Sequence, residues 1–278
     1  LDDEQMTALA RGEPVKASGT VFRTPSQDLC CRMAEKREGT RENIIHCATT
    51  GAVNGFFTIS DAVTIMHGPK SCDQIIMSGK CGNEIINKVS RNDPRGVQSR
   101  RVSCTCMDDV SSVFGGIGLL EQKIRDKINE GNKNIFIVTT CTSGIIGDDV
   151  CGAAERMMSE FPDIRIAVSE ADGNIMGDWE EGYIDSARIL SQFIDPDIQP
   201  LDDHINLIAE RYHDRQEDDS HLEIISLFEP FGLKINCRFL YESKMDSVIN
   251  MKKGKRNFLF ANDKSGQGVA DILEEKGL

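Results

Sequence analysis

Residues 135–150 read IFIVTTCTSGIIGDDV, and this segment carries the strongest prediction of architecture in the chain. Its first four residues form a short apolar run, which is typical of a strand buried on both faces of a parallel sheet. Cys141 follows this run and precedes GIIGDDV, which opens the next helix. Ligands of an open α/β sheet bind outside the carboxyl ends of its strands. The segment therefore predicts a parallel sheet with Cys141 facing a crevice.

A cysteine at such a junction has two interpretations. Helix N–H groups near Cys141 favour its thiolate, which is the form that binds metals. The same position equally suits a buried cysteine that packs in the core as a small apolar side chain. Position alone leaves both interpretations open.

Strand-like and helix-like segments alternate along the rest of the chain. Leu120, Ile124 and Ile128 form a helical stripe, and Gly131 follows where a helix C-cap is expected. Further apolar runs predict strands at 164–168, 205–208, 235–239 and 258–261. Helix-like stretches lie at 150–160, 180–193, 222–231 and 266–276. This alternation predicts an α/β fold of Rossmann-like, doubly wound parallel sheets with right-handed crossovers.

Composition shifts divide the chain into three predicted parts. Residues 1–43 are polar and predict an N-terminal arm, with a short helix within 27–38. Residues 44–200 predict a first α/β domain, and the segment DPDIQPLDD at 195–203 is a candidate linker. Residues 201–278 predict a second Rossmann-like domain that is incomplete, since the chain starts without methionine and stops just after a helix-like stretch.

Charge and length exclude several classes of protein. The 278 residues include 32 Lys and Arg against 45 Asp and Glu, a net charge of −13, which argues against electrostatic partners such as nucleic acids or anionic membranes. No apolar run approaches the roughly 18 residues of a membrane span. The ten cysteines occur without a signal-like N-terminus, so we expect reduced thiols in a cytoplasmic protein.

Two further cysteines lie in glycine-flanked turns. Cys47 is part of HCATTGA, and Cys72 is part of HGPKSC. The long gaps between Cys47, Cys72 and Cys141 fit no zinc finger and no compact ferredoxin motif. They suit a cluster whose ligands come from three separate loops. Three thiolates would leave such a cluster at least one ligand short.

The remaining candidates have weaker support. Cys237 alternates with apolar residues on a predicted strand, so we expect it to pack in the core. Cys151 falls in the first turn of a predicted helix, where we expect a structural rather than a metal-binding role. The other candidate metal ligands are Cys30, Cys31, Cys81, Cys104, Cys106, His46 and His67. Either histidine is equally suited to a turn hydrogen bond, and the pair Asp148–Asp149 predicts a helix cap rather than acid–base chemistry.

Motifs of several enzyme classes are missing from the sequence. It contains no GxSxG elbow, no HExxH, no P-loop and no GxGxxG after a strand. Hydrolase, nucleotide-hydrolysing and dinucleotide-dependent functions therefore have no support, and no residue is assigned a catalytic role.

Four segments taken in order are similar to a known family. They are CATTGA at 47–52, HGPKSC at 67–72, SRRVSCTCMDDVSSVFGG at 99–116 and VTTCTSGIIGDDV at 138–150. Together they resemble component 1 of nitrogenases and nitrogenase-like oxidoreductases, the molybdenum–iron protein subunits. The resemblance implies that Cys47, Cys72 and Cys141 hold an iron–sulfur cluster, either [4Fe–4S] or a larger P-cluster-like one.

The same resemblance implies partners. A similar component 1-type subunit, in a homo- or hetero-oligomer, would complete the cluster. An ATP-dependent iron–sulfur reductase would dock over the interface and deliver single electrons, and the P-loop missing here belongs to that reductase.

Two departures from the family pattern concern the turn at Cys72 and a second metal site. Lys70 and Ser71 stand in HGPKSC where the family often has a small apolar residue and glycine. Ala261, in KRNFLFANDKSG at 255–266, stands where nitrogenase α-subunits offer a cysteine to the catalytic cofactor. This substitution argues against a bound cofactor of the nitrogen-fixing type.

The leading hypothesis is a cluster-binding subunit that relays low-potential electrons to a substrate that the sequence does not identify. The alternatives are a scaffold for nitrogenase-type cofactor assembly, a tetrapyrrole reductase subunit, and a non-catalytic pseudo-subunit. A zinc site on the same thiols also stays open. Iron and acid-labile sulfide content separates the cluster hypotheses from a pseudo-subunit without a cluster and from a zinc site.

Overall fold

The computed structural model describes residues 47–76, 101–209, 226, 228–261 and 263–278. Several predictions lie outside this part of the chain. They concern the arm at 1–43, the helix at 27–38, Cys30, Cys31, His46 and Cys81.

The first sheet has two central strands that are buried on both faces. Its strands β1 to β4 are Ala62–His67, Val102–Cys104, Asn134–Thr139 and Arg165–Ser169. All pairings are parallel, and the order in the described residues is β2-β1-β3-β4. Every residue of β1 and β3 is buried, as the apolar run at 135–138 predicts for a central strand.

Helices cover both faces of this sheet. Helices α1 to α6 are Ala48–Phe57, Ser111–Phe114, Ile117–Asn129, Cys141–Ile146, Val150–Glu160 and Trp179–Ser191. On one face, Leu120 and Ile124 of α3 pack with Ile135 and Ile137 of β3. On the other, Phe56 of α1 stacks on Phe136 with ring centroids 4.4 Å apart. The sheet is therefore doubly wound, as the sequence predicts.

Strand register brings the loops that follow β1 and β3 together. His67 at the end of β1 pairs with Thr139 at the end of β3. The backbone N–H of Thr140 then donates to the carbonyl of His67 at 3.2 Å. The chain therefore leaves both strands at the same point of the carboxyl edge.

A second parallel sheet follows. Strands β5, β6 and β7 are Leu201–Ile208, Lys234–Phe239 and Gly254–Leu259, in the order β6-β5-β7 among the described residues. The accompanying helices are α7, Met245–Ile249, and α8, Lys264–Glu275. The division into domains at residue 200 remains a prediction.

Some predicted boundaries differ from the structure. The strand expected at 258–261 is the end of β7, which stops at Leu259. In the predicted helix at 222–231, residues 229–231 form a 3₁₀ turn that contains Pro230, which has no backbone N–H to donate. The candidate linker at 195–203 ends in strand, because β5 already begins at Leu201. No helix among the described residues is long and apolar enough to cross a membrane.

Candidate functional site

Three thiols lie at the carboxyl edge of the first sheet, each in a different loop. Cys47 is the N-cap of α1, and Cys141 is the first residue of α4, directly after β3. Cys72 lies in the helical segment 70–76 that follows β1. All three are free cysteines and retain some exposure to solvent.

Gly173 lies against two of these cysteines, Cys47 and Cys141. A Cβ atom built on Gly173 would lie 2.8 Å from the Cβ of Cys47 and 3.6 Å from the Sγ atoms of both Cys47 and Cys141. The contact with Cys47 is closer than side-chain carbon atoms tolerate, so this position requires glycine. The thiol of Cys72 belongs to the same group, since the charges of Cys47 and Cys141 raise its pKa after the larger effect of burial.

The donor set fits an iron–sulfur cluster. Thiolates are the protein ligands of such clusters, and the glycine between Cys47 and Cys141 leaves space that a side chain would fill. Among the described residues, no three His, Cys, Asp or Glu side chains are placed to hold a single metal ion. The ligand role of Cys47, Cys72 and Cys141 remains a prediction.

The electrostatic environment of Cys141 differs from the expected one. Burial raises the pKa of the Cys141 thiol, and a hydrogen bond with the Asp172 carboxyl raises it further. The backbone N–H groups of Asn174 and Gly173 act in the opposite direction. The expectation that nearby helix N–H groups favour a free thiolate is therefore wrong. The N–H groups that lower the pKa come from the loop after β4, and burial outweighs them.

A hydroxyl group joins three of the surrounding elements. Oγ1 of Thr49, in the first turn of α1, donates to the carbonyl of Ala171 at 2.7 Å and lies 3.2 Å from the carbonyl oxygen of Thr139. These contacts connect the start of α1, directly after Cys47, with the end of β3 and the loop that follows β4. The cysteine loops are thus held by bonds that do not involve the thiols.

His67 forms a second connection beneath the site. Its side chain is fully buried, with Nε2 2.8 Å from Oδ2 of Asp148 and Nδ1 3.2 Å from Oγ1 of Thr105. Oδ2 of Asp148 also accepts from the backbone N–H of Gly116 at 2.9 Å. The histidine therefore makes hydrogen bonds, but to residues 38 and 81 positions away in the sequence rather than within its own turn.

The predicted cap at Asp148–Asp149 is half correct. Asp149 is the N-cap of α5 and accepts from the backbone N–H of Gly152. Asp148 instead binds His67 and Gly116, which are far away in sequence. Sequence spacing gave no sign of this contact.

Burial of His67 gives stability a specific pH dependence. Burial lowers the pKa of His67, although the hydrogen bond to Asp148 and its charge act in the opposite direction. Below about pH 6.5 the unfolded chain takes up a proton that the folded chain does not, so the free energy of unfolding falls. We expect wild type to lose more stability than His67→Gln between about pH 7.5 and about pH 5.5 in urea titrations. Equal losses in the two proteins would contradict this prediction.

The other described cysteines occupy different surroundings. Cys104 is buried at the end of β2, where burial raises its pKa to about 12 and its sulfur accepts from the N–H of Cys106. Cys237 is buried in the core, as predicted. Cys151 lies in the first turn of α5, as predicted, but its side chain is exposed and does not pack in the core.

Exposed apolar side chains lie in and just before α2, and in α4, the helix that begins at Cys141. Phe114 at the end of α2 is 84% exposed, and Ile145 of α4 is 75% exposed. Val110 and Val113 are exposed as well, and we name these four residues the apolar patch. Sequence reasoning missed the patch, since the residues come from two segments that only the fold brings into contact.

Ala261 lies just after β7, at the position compared above with a cofactor cysteine. It is buried, and a Cβ on Gly266 of α8 would lie 2.8 Å from the Ala261 Cβ. The residue therefore packs closely against the start of α8, and its side chain carries no metal-binding group.

Comparison with known proteins gives a family and a fold. The family model described as "Nitrogenase component 1 type Oxidoreductase" matches residues 47–278. The solved structure "Nitrogenase Cp1 at pH 5" superposes with a TM-score of 0.63 over 79% of this chain and 44% of that chain, at 22% identity. This likeness confirms the α/β fold of parallel sheets with flanking helices.

The curated relatives include both a nitrogenase subunit and a cofactor biosynthesis protein. "Nitrogenase iron-iron protein alpha chain" of Rhodobacter capsulatus is 28% identical over 275 residues, 95% of this chain and 49% of that protein. "Nitrogenase iron-molybdenum cofactor biosynthesis protein NifE" of Methanococcus maripaludis is 24% identical over 240 residues, 84% of this chain and 46% of that protein. The chain thus spans about half the length of these relatives.

Proposed function

The chain belongs to the nitrogenase component 1 type oxidoreductases, and from this premise we propose that it is the iron–sulfur-cluster-binding subunit of a nitrogenase-like reductase. In this role it relays low-potential electrons from an ATP-dependent iron–sulfur reductase to a substrate or a second cofactor. The observation that supports the proposal most is the close approach of Cys47 and Cys141 at Gly173. The thiol of Cys72 lies near enough to both for their charges to raise its pKa, after the larger effect of burial.

Each part of the site has a task in this proposal. Cys47, Cys72 and Cys141 hold the cluster, which supplies one-electron transfer when bound. The backbone N–H groups of Asn174 and Gly173 lower the pKa of the Cys141 thiol, against the larger effect of burial, and N–H donors near a thiolate tune the potential of the iron that it binds. His67 and Asp148 hold the loops in register beneath the thiols.

Three thiolates leave a cluster short of ligands. We propose that a similar component 1-type subunit covers the open side, so that the site lies at an interface. We also propose that residues 44–200 form the cluster-binding domain and that 201–278 are part of a second domain.

The apolar patch suits the docking of the reductase. Gly115 and Gly116 directly follow Phe114, and Gly116 binds Asp148 beneath the thiols. A partner seated on Phe114 and Ile145 would therefore lie close to the cluster ligands. Exposed aromatic side chains are frequent anchors of protein interfaces.

Replacing Phe114 tests this docking surface. We expect Phe114→Ala to weaken reductase binding by about tenfold or more, seen as a higher reductase concentration at half-maximal electron transfer, with iron content unchanged. Phe231→Ala is the matched control, since Phe231 is 77% exposed but lies between β5 and β6 of the second sheet. Equal affinity of the two variants would rule out the patch as the docking surface.

A scaffold for cofactor assembly is the second candidate function. It is favoured by Ala261 at the compared cofactor position and by the similarity to a cofactor biosynthesis protein. A scaffold would keep the three cysteines while releasing its metal group to another protein.

Electron transfer from the reductase separates the two functions. The complex is mixed anaerobically with an ATP-dependent iron–sulfur reductase, and cluster reduction is followed by EPR with and without MgATP. Repeated ATP-dependent reduction with the metal retained supports the relay. Transfer of the metal group to an apo-acceptor protein, without repeated reduction, would favour the scaffold.

A further inference from the structure

Two thiols outside the proposed cluster site lie two residues apart at the end of β2. Cys104 is the last residue of the strand and is buried, whereas Cys106 is exposed, and both are free cysteines. The backbone N–H of Cys106 donates to the sulfur of Cys104 at 3.1 Å. Two Cα atoms at this spacing are at most about 7 Å apart, and disulfides bridge Cα atoms up to about 6.8 Å apart. The spacing therefore keeps the two thiols near the reach of a disulfide.

The backbone at Cys106 has an uncommon conformation. Its φ of +52° lies in the left-handed region, which glycine adopts most readily. Glycine or asparagine would suit this turn better, so the turn does not explain the cysteine. Residues held in this region are concentrated at functional sites.

The Cys104 thiol also contacts the turn that leads to Cys72. It donates to the carbonyl of Gly68 at 3.4 Å, and the N–H of Met107 donates to the same carbonyl at 2.9 Å. One residue further, the carbonyl of Pro69 accepts from the N–H of Cys72 at 3.2 Å. The sulfur of Cys104 therefore helps to hold the turn that positions Cys72.

The two thiols differ in their access to reagents. Burial raises the pKa of the Cys104 thiol to about 12, so little of it is thiolate near neutral pH, and the thiolate is the nucleophile. Cys106 is exposed, so a dissolved reagent reaches it directly. Cys106 is therefore suited to react first, and Cys104 is the neighbouring thiol that can react with it next.

We propose that Cys104 and Cys106 form an oxidation site, at which a low-molecular-weight disulfide such as oxidised glutathione converts the two thiols reversibly into an intramolecular disulfide. The Cys106 thiolate attacks the external disulfide, forms a mixed disulfide and releases one external thiolate. The Cys104 sulfur then attacks the Cys106 sulfur and releases the second. Two electrons pass from the protein sulfurs to the external disulfide, and the two protein thiol protons end on the released thiolates.

The site goes beyond the proposed function, in which neither thiol is a cluster ligand. Oxidation nevertheless affects the turn at Cys72, because the oxidised Cys104 sulfur carries no proton and cannot donate to the carbonyl of Gly68. We expect faster amide hydrogen exchange of residues 66–72 in the oxidised protein than in the reduced protein. Equal exchange rates would contradict this link to the turn.

Trypsin isolates this pair from the other cysteines. Cleavage after Arg101 and Lys123 yields residues 102–123, which contain no cysteine besides Cys104 and Cys106. The full-length protein with its co-purifying partner is reduced, freed of reductant, exposed to oxidised glutathione and quenched with acid and N-ethylmaleimide. Mass spectrometry of this peptide then distinguishes the doubly alkylated form, the mixed disulfide with glutathione and the intramolecular disulfide.

The expected products differ between the variants. Wild type forms the intramolecular disulfide, and dithiothreitol reverses it. Cys104→Ser stops at the mixed disulfide on Cys106. Cys106→Ser reacts with glutathione at least about tenfold more slowly than Cys104→Ser, because its remaining thiol is buried. Cys151→Ala is the control, since it removes an exposed thiol from another peptide and should leave the products in 102–123 unchanged.

Two results in wild type would overturn the proposal. A peptide that stays doubly alkylated would show that neither thiol reacts. A mixed disulfide that persists on Cys106 would show that Cys104 does not displace glutathione. Both readouts come from the wild-type protein, so neither requires that a variant folds. Neither measures the cluster, so failure here is distinct from failure of the proposed function.

Discussion

Cys141→Ala and Cys72→Ala are each expected to remove most of the bound iron and acid-labile sulfide. Each thiol comes from a different loop, so no neighbouring cysteine replaces it. Loss of a group that only hydrogen-bonds to a metal ligand costs metal sites about 10- to 100-fold in affinity, and loss of a direct ligand should cost at least as much. We expect iron and sulfide to fall by about tenfold or more, and ATP-dependent electron transfer to fall with them.

The control for these variants is Cys151→Ala. Cys151 is an exposed free thiol at the start of α5, and alanine suits a helix at least as well. This variant should keep wild-type iron content. Unchanged cluster content in Cys72→Ala or Cys141→Ala, measured in the intact complex, would refute the three-thiolate site.

Gly182→Ala is expected to have the largest effect on folding. Helices α1 and α6 cross so closely that a Cβ on Gly182 would lie 1.9 Å from the carbonyl oxygen of Ala48. A Cβ on Gly51 would lie equally close to the carbonyl of Trp179. Because backbone atoms cannot move aside as a flexible side chain does, the helices must separate. Overpacking costs typically about 1–3 kcal/mol and sometimes more, so we expect a loss of about 3 kcal/mol in urea unfolding.

The same variant should weaken the site. Cys47 is the N-cap of α1, one residue before Ala48, so any shift of α1 moves its thiol. We therefore expect a lower iron content in whatever Gly182→Ala protein folds.

Gly118→Ala is the matched control for helix packing. Gly118 lies in α3 with no atom within 4 Å of its Cβ position. Alanine there should leave stability unchanged or raise it by about 0.5–1 kcal/mol. A similar loss of stability in Gly118→Ala and Gly182→Ala would contradict the close-crossing explanation.

Local sequence signals predicted the central part of the fold well. The apolar run at 135–138 is β3, and Cys141 follows it at the carboxyl edge. The helices expected at 150–160 and 266–276 are α5 and α8, with boundaries that agree within two residues. These elements carry strong periodicity, and their ends are marked by caps such as Asp149 and Asp263.

Elements with mixed composition were missed. The sequence AVTIMH of β1 contains Thr64 and His67, which break the apolar run although both are buried in the sheet. α1 is rich in Gly and Thr, which are poor helix formers. It is held by its packing on α6 rather than by local preference.

The contacts that support the site join residues that are far apart in the sequence, and sequence spacing does not predict them. His67 and Asp148 come from different loops, and their contact follows only from the parallel register of β1 and β3. Asp172 lies in the polar stretch SEADGN, which resembles an ordinary surface loop. It is buried beside Gly144, in the helix that begins at Cys141, so no local pattern in the sequence reveals its position.

The most direct test of the account is the metal content of the protein with any co-purifying partner. Iron, zinc and acid-labile sulfide are measured after anaerobic purification, together with an EPR spectrum after dithionite reduction. We expect iron and sulfide in near-stoichiometric amounts and an EPR signal that changes on reduction. A metal-free or zinc-only complex would contradict it, because the three thiols would then lie together without the electron-transfer group that we propose they hold.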